Sequence, residues 1–510
     1  LKELNFNGVD MTVKEIKRIV DKGYNLIPIY RELLVDTETP LSSFIKLKKL
    51  GANILLESVE GGEKWGRYSV IGIGSLVTVK SKERFVEINR NGRIEVKEIE
   101  TDPLEVLRNE FKRYIPFKME GLPRMWGGFF GYLGYDTVKF FEPRVGMVEE
   151  KNKEDSMLYD MVFSIPRALV IFDNVSKTVK LIGYLIVRDY SSLEEIYREV
   201  NCFLDDIEDS LLNDKILNNP PSVSYSVANW SVNFSDEDFA EAVEKAKEYI
   251  KAGDIIQVVL SRRFEKSFKS DALTLYRALR FINPSPYMYY LDYGDFQIVG
   301  ASPEVLVRVT DGVIETRPIA GTRKRGKTQE EDIAMEKELI SDEKERAEHI
   351  MLVDLARNDV GRVAKEGSVK VTDLMVIERY SHVMHIVSNV VGRLKERFDA
   401  FDVLKACFPA GTVSGAPKVR AMEIIEEIEP SKRGVYAGAV GYFSFDGNMD
   451  TAIAIRTAIV RRDKVYVQAG AGIVADSDPD LEVKETKNKA RAIFRAVEFA
   501  EKGLRFDDQQ

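Results

Sequence analysis

An α+β fold is predicted by three features of the 510-residue sequence. Short β-type runs separated by turn signals fill roughly the first two hundred positions, helix and strand patterns alternate beyond about position 233, and 44% hydrophobic residues with 10% aromatics suffice for substantial cores. Ile54 to Val59, Arg67 to Ile73, Leu76 to Lys80 and Arg84 to Ile88 read as strands, with Gly61-Gly62 and Asn91-Gly92 as turns. Leu104 to Arg113 reads as a helix with Leu104, Leu107 and Phe111 on one side. Phe163 to Asp173 and Lys180 to Arg188 look like a further strand pair, so this half is mainly sheet. Between Asp205 and Trp230 the pattern gives way to Asp/Asn-rich, Pro220-Pro221 and Ser-rich sequence. The expected organisation is therefore an N-terminal domain at 1–210, a linker at 211–232 and a second domain at 233–510. Beyond the linker, Ser235 with Asp238 starts a helix whose face of Phe239, Val243, Ala246 and Ile250 stops at Gly253, and Ile255 to Phe264 is a strand.

The 74 Lys+Arg against 83 Asp+Glu leave a formal charge of −9. This argues against a nucleic-acid binder that works by neutralising phosphates. An anionic substrate would need a cation or a focused positive pocket inside that repelling field. Cys202 and Cys407 are the only cysteines, too few for a disulfide framework or a cysteine-rich zinc site. The most apolar stretch, Met157 to Phe172, is broken by Asp160, Pro166 and Arg167, and Leu1-Lys2-Glu3-Leu4 does not open a secretory leader. The expectation is a cytoplasmic protein without a membrane span.

Several segments carry potential chemistry. Ala469-Gly-Ala-Gly-Ile-Val-Ala-Asp reads as a glycine-rich loop before a helix capped by Asp478 with Pro479 in its first turn. Alone it reads equally as a tight turn, since it lacks a P-loop ending and dinucleotide spacing. Within that helix Glu482, Glu485 and Lys489 share one face at i, i+3 and i+7, which is usually a solvated face. A second carboxylate pair, Glu345 and Glu348, follows Ser341-Asp342 and runs with His349 into apolar sequence. Two helix-borne carboxylate pairs are what a hard cation such as Mg2+ needs, with waters and a substrate oxygen completing the octahedron. Of the three histidines, His382 and His385 face opposite sides if their segment is a strand. Arg456 sits in the apolar run Thr451 to Val460, read as a strand, where a guanidinium awaits either a ligand carboxylate or a structural ion pair.

In order along the chain, Leu55-Leu-Glu-Ser, Gly66-Arg-Tyr-Ser, Asn283-Pro-Ser-Pro-Tyr-Met, Gly300-Ala-Ser-Pro-Glu, Thr316-Arg-Pro-Ile-Ala-Gly-Thr, Asp342-Glu-Lys-Glu-Arg-Ala-Glu-His, Leu355-Ala-Arg-Asn-Asp and Phe408-Pro-Ala-Gly-Thr-Val-Ser-Gly-Ala-Pro-Lys lead to the glycine segment. The series resembles the chorismate-utilising enzymes over nearly the whole chain, most closely the large subunits of anthranilate synthases. The resemblance implies a layered α/β/β/α sandwich of two opposed, largely antiparallel sheets flanked by helices. It implies an Mg2+-dependent lyase in which Glu348 and Glu485 are metal ligands and Glu345 and Glu482 are neighbours able to bind directly or through water. Arg456 and Tyr436 resemble the residues that hold the enolpyruvyl carboxylate, with the backbone of Ala469, Gly470, Ala471 and Gly472 beside them. Gly321, Thr322, Thr412 and Lys489 resemble the rest of the chorismate pocket. Glu304 is the candidate proton donor to the C4 oxygen, and His385 orients or protonates near the ring carboxylate.

The implied reaction is ammonia attack at C2 with loss of the C4 hydroxyl, then elimination of pyruvate to give anthranilate, the first step of tryptophan biosynthesis. Relatives that add water carry a lysine where Gln257 stands, and a neutral amide cannot activate water. Aminodeoxychorismate synthases, the runner-up, carry a nucleophilic lysine where this chain has Ala320. A non-catalytic tryptophan-binding regulator is the other alternative, disfavoured by Glu348, Glu485 and Arg456. Neither cysteine sits on a nucleophile elbow, so a separate glutamine amidotransferase subunit supplying ammonia is implied, in a heterotetramer. Glu57, Ser58, Arg67, Tyr68, Ser69, Asn283, Pro286, Tyr287 and Met288 resemble a feedback pocket for L-tryptophan.

Overall fold

The computed structural model describes residues 11–59, 66–147, 158–187, 192–215, 229–380 and 383–506. Gly61-Gly62, Arg188, Pro220-Pro221 and His382 lie outside them. Two twelve-stranded sheets face each other, and every registered strand pair is antiparallel. Both sheets run through residues from either side of the 211–232 stretch. In the first sheet Ala52–Glu57 pairs with Tyr287–Asp292, and in the second Gly128–Leu133 pairs with Ala439–Ser444.

Side-chain alternation explains the layering. Successive residues on a strand point to opposite faces, so Ile54 and Ile298 enter the core between the sheets with Phe129, Phe163 and Met449. Their neighbours Leu55 and Val299 join the opposite core, against Phe44, Leu204, Leu275 and Ile493 of the covering helices. The helices Glu343–Val363 and Ala400–Cys407 pack on the second sheet, completing the sandwich. Among the described residues no helix is long and apolar enough to cross a membrane.

Three strand expectations change. The run Phe163 to Asp173 is two strands, Met161–Ile165 and Ala168–Asp173, which belong to different sheets. Pro166, which has no N–H for a ladder, and Arg167 form the crossing. The run around Arg456 divides likewise: Met449–Ile453 lies in the second sheet and Thr457–Arg461 in the first. Arg456 sits just before the latter at φ 50°, a left-handed conformation that interrupts a strand. The glycine segment is not a loop, because Ala469 to Gly472 lies inside the strand Lys464–Ile473. At Arg456 the apolar pattern continues from one core face to the next and marks no loop, whereas Pro166-Arg167 breaks the run at the other crossing.

Candidate active site

A third crossing completes the arrangement. Phe296–Ser302 belongs to the first sheet and Val305–Thr310 to the second, which leaves Glu304 at the join. The crossings at Glu304 and Arg456 are tied together by backbone hydrogen bonds. Ile453 N–H donates to the Glu304 carbonyl at 3.1 Å, and Ala301 N–H to the Arg456 carbonyl at 3.1 Å. Ala437 N–H reaches the Ala454 carbonyl at 2.9 Å, and Ala454 N–H reaches Gly438 at 2.8 Å, which brings Tyr436 to the same point. Leaving a ladder at these positions frees side chains to face a ligand while the backbone stays paired.

Glu304 accepts a hydrogen bond from Thr412 Oγ1 at 2.9 Å. Burial raises its carboxyl above the usual range, opposed by Thr412, Arg456 and Lys489, so it is suited to hold a proton. Burial also lowers Arg456, which faces Glu304, Tyr436 and Glu485 and is short of negative charge in its surroundings. Such a guanidinium is poised for an anionic ligand. Tyr436 is buried and its hydroxyl is pushed up to about 12, so it stays a donor. A Cβ on Gly470 would lie 2.7 Å from Tyr436 Oη, and one on Gly472 would lie 2.5 Å from Gln257 Nε2. Glycine at both positions keeps the strand floor open.

His385 lies in the strand Val383–Arg393, with Nδ1 2.9 Å from the Gly321 carbonyl and 3.1 Å from Thr322 Oγ1. A carbonyl only accepts, so Nδ1 carries the proton and Nε2 is the ring's acceptor. Burial lowers its pKa, more than the Gly321 carbonyl raises it, which keeps the ring neutral. His349 instead is buried, bonded through Nε2 to Ser388 Oγ at 2.6 Å and lowered to about 4 by burial, a core role.

The carboxylate pairs project from the helix Glu343–Val363, capped by Asp342, and the helix Pro479–Glu501, capped by Asp478. Gln257 Nε2 donates to Glu348 Oε1 at 3.3 Å. Burial raises Glu348, and Glu345 and Glu485 raise it further, so the two helices share one negative field. Glu482 is likewise raised, first by burial and then by Glu485, and its Oε2 is buried without a hydrogen-bond partner. Lys489 Nζ spans Glu485 Oε1 at 2.6 Å and the Gly470 carbonyl at 3.0 Å. Arg323 holds Glu345 at 3.0 Å along with Glu338 and Asp342, and so offsets part of its charge. Among the described residues no three His, Cys, Asp or Glu form a closed metal cage. An orphaned carboxylate oxygen beside mutually repelling carboxylates nonetheless fits Mg2+, which uses one or two protein carboxylates and leaves other positions to water and substrate.

Residues 54–495 match the family described as chorismate binding enzyme. The chain belongs to that family. It is 54% identical over 496 residues to anthranilate synthase component 1 of Aquifex aeolicus, covering 97% of this chain and 99% of the relative. The component 1 of Acinetobacter calcoaceticus is 48% identical, with 97% and 99% covered. The crystal structure of anthranilate synthase component I from Streptococcus pneumoniae superposes with a TM-score of 0.69 at 37% identity, covering 91% of this chain and 99% of that one.

Apart from that site, this chorismate binding enzyme has a cavity of about 70 Å3 between the sheets. Glu57, Ser58, Tyr68, Pro286, Tyr287 and Met288 line it together. Arg67 is instead paired with Asp173 at 2.8 Å, Ser69 is buried in its strand, and Asn283 caps the helix Ala272–Ile282. Glu57 is gripped by Tyr276 at 2.5 Å and Arg280 at 3.1 Å. The sequence reading missed Arg124, Arg308 and Asp450 on the same cavity. Asp450 Oδ2 receives Arg308 at 2.8 Å and Oδ1 receives Tyr287 Oη at 2.9 Å. An Arg and an Asp at core positions of otherwise alternating strands were the available signal.

Proposed function

We propose that this chain catalyses the reaction of anthranilate synthase component 1, forming anthranilate and pyruvate from chorismate and ammonia. The observation that carries this reading is Gln257, a neutral amide that abuts Gly472 and donates to Glu348. A neutral amide cannot deprotonate water, which disfavours hydroxyl transfer, whereas ammonia arrives as its own nucleophile. Ala320, on the strand Ile319–Lys324, likewise offers no side-chain nucleophile.

Each residue then has a definable task. Arg456 and Tyr436 grip the enolpyruvyl carboxylate, with the Gly470 and Gly472 backbone beside it. Glu304, its carboxyl raised by burial and held by Thr412, gives its proton to the departing C4 oxygen as ammonia attacks C2. Neutral His385, with Nδ1 committed to Gly321 and Thr322, offers Nε2 to a proton leaving the ring as enolpyruvate is expelled. Glu348 and Glu485, with Glu482, would hold Mg2+, which when bound withdraws electrons through the ring carboxylate. Lys489 adds positive charge for a dianionic substrate.

Cys407 is buried with its thiol pushed far up, and Cys202 stands exposed on the helix Leu193–Asn213. Cys202 lies within one helix and Cys407 at the end of another, so neither stands on a nucleophile elbow. A glutamine amidotransferase subunit therefore delivers the ammonia, in a cytoplasmic heterotetramer, and L-tryptophan inhibits from the cavity of Ser58, Pro286, Tyr287 and Met288. The deciding assay supplies chorismate, Mg2+ and ammonium salt and follows anthranilate fluorescence and pyruvate. Isochorismate or an aminated product retaining its enolpyruvyl group, in place of anthranilate, would overturn the reading.

A further inference from the structure

We propose that the buried Arg433–Glu429 pair positions the substrate pocket by holding three of its walls in register. The inference rests on the proposed pocket of Glu304, Thr412, Tyr436 and the Gly470–Gly472 stretch, none of which belongs to the pair.

Every edge of the Arg433 guanidinium is used. Nε and Nη2 donate to Glu429 Oε2 and Oε1 at 2.9 and 2.6 Å, Nη1 to the Val413 carbonyl at 2.7 Å, and Nη2 also to the Val259 carbonyl at 2.7 Å. The side chains of Arg433 and Glu429 are 1% and 4% exposed. Glu429 Oε1 in turn accepts from Ser261 N–H at 2.7 Å and Oγ at 3.0 Å, and Gln468 Nε2 donates to Ser261 Oγ at 2.9 Å.

Each tie ends on a wall. Val413 follows Thr412, the donor to Glu304. Val259 and Ser261 are the register partners of Gly472 and Gly470. The guanidinium lies over the Tyr436 ring at 5.6 Å and over the Tyr135 ring at 4.6 Å. An outside anchor fixes the assembly: Asp136 accepts from the N–H groups of Arg433 and Gly434 at 3.3 and 2.7 Å, and Tyr135 N–H donates to the Gly434 carbonyl at 2.8 Å.

Stability alone does not call for this device, because well-packed apolar side chains commonly replace a buried ion pair without loss. What they cannot reproduce is a rigid fork that sets the spacing between two carbonyls and a carboxylate. A misplacement of about 1 Å in such a pocket costs about 100-fold in rate.

The test compares Arg433→Lys and the paired replacement Arg433→Met with Glu429→Leu against wild type, in the ammonium assay. The expected result is a fall in kcat/KM of about 100-fold, shared between kcat and KM, in variants that stay folded at the assay temperature although the unpartnered Val413 and Val259 carbonyls lower their unfolding midpoints. The alkaline limb of the kcat–pH profile moves in the same direction as in Thr412→Val, because the Val413 tie holds Thr412 on Glu304. Wild-type kcat/KM with an unmoved limb in a folded variant overturns the proposal. Should the paired replacement fail to fold, the lysine variant decides. If that fails too, Ser261→Ala, which removes one tie and no charge, decides by a fall of about tenfold or none. Failure of wild type itself to form anthranilate would instead count against the functional reading.

Discussion

Thr412 and Glu304, 108 positions apart, meet through a hydroxyl that donates to the carboxyl at 2.9 Å. That bond favours the charged form of Glu304, while burial, the larger effect, favours the protonated form. An acid catalyst loses activity as pH rises through its pKa, so the sign of a Thr412 change is fixed. Thr412→Val removes the hydrogen bond that acts to lower Glu304, and the alkaline limb of kcat is expected to move to higher pH. Glu304→Gln removes the proton donor and is expected to cut turnover by about 100- to 10,000-fold. Both are read from initial rates at constant free ammonia. Near-normal turnover in Glu304→Gln would remove it from the mechanism.

Glu348 and Glu482 are both raised by burial and by neighbouring carboxylates, so protons compete with a cation for them. Mg2+ affinity is expected to fall as pH is lowered, and chelation is expected to abolish activity until Mg2+ is restored. Glu348→Gln and Glu485→Gln should each raise the half-saturating Mg2+ concentration by about tenfold or more, equivalent to about 1.4 kcal/mol. Glu345→Gln should do much less, because Arg323 already holds that carboxylate. Calorimetric Mg2+ titration separates these cases, and equal effects at all three positions would refute the distinction.

The cavity shared by Ser58, Pro286 and Tyr287 draws on both ends of the chain, and Tyr287 bonds to Asp450, six residues before Arg456. Replacing Ser58 or Pro286 is expected to weaken inhibition by L-tryptophan about tenfold or more while sparing uninhibited turnover. Tyr287→Phe should act similarly through loss of the Asp450 bond. Inhibition curves that overlay wild type in all three would place the effector elsewhere.

How much of this was readable before folding depends on range. The helix carboxylates were legible because Glu482, Glu485 and Lys489 are set by one local period and by the Asp478 cap. The two-sheet sandwich and the roles of Glu304 and Arg456 came from a resemblance, because both residues stand at crossings between sheets, and local pattern, even with Pro303 interrupting the run before Glu304, does not say that the chain changes sheet. Arg433, Glu429, Arg308 and Asp450 were passed over for a related reason. Glu429 and Arg433 stand in the polar stretch Glu426 to Gly434, which reads as a solvated turn, while the charge of Arg308 in an apolar run signals a buried partner without saying which, and its partner Asp450 lies 142 positions away. Register between distant strands supplies that information, and one sequence does not contain it.

Asp136 gives a further test through stability. Its carboxyl is pushed up to about 7, by burial first and by Asp160 and Glu426 next, against the lowering effects of Gly434 N–H and Lys432. Below about pH 4 both folded and unfolded chains carry the proton. As pH rises toward 7 the unfolded chain releases it while the folded chain keeps it, so this group's favourable contribution declines, with a slope of up to about 1.4 kcal/mol per pH unit, and levels off above 7. Asp136→Asn cannot titrate. It is expected to start less stable at low pH, by about 1 kcal/mol for a hydrogen bond made worse, and to gain on wild type between pH 5 and 7.5. Urea unfolding at both pH values measures the difference. Parallel stability profiles for the two proteins would show that Asp136 is already ionised across this range, and that its two N–H donors outweigh its burial.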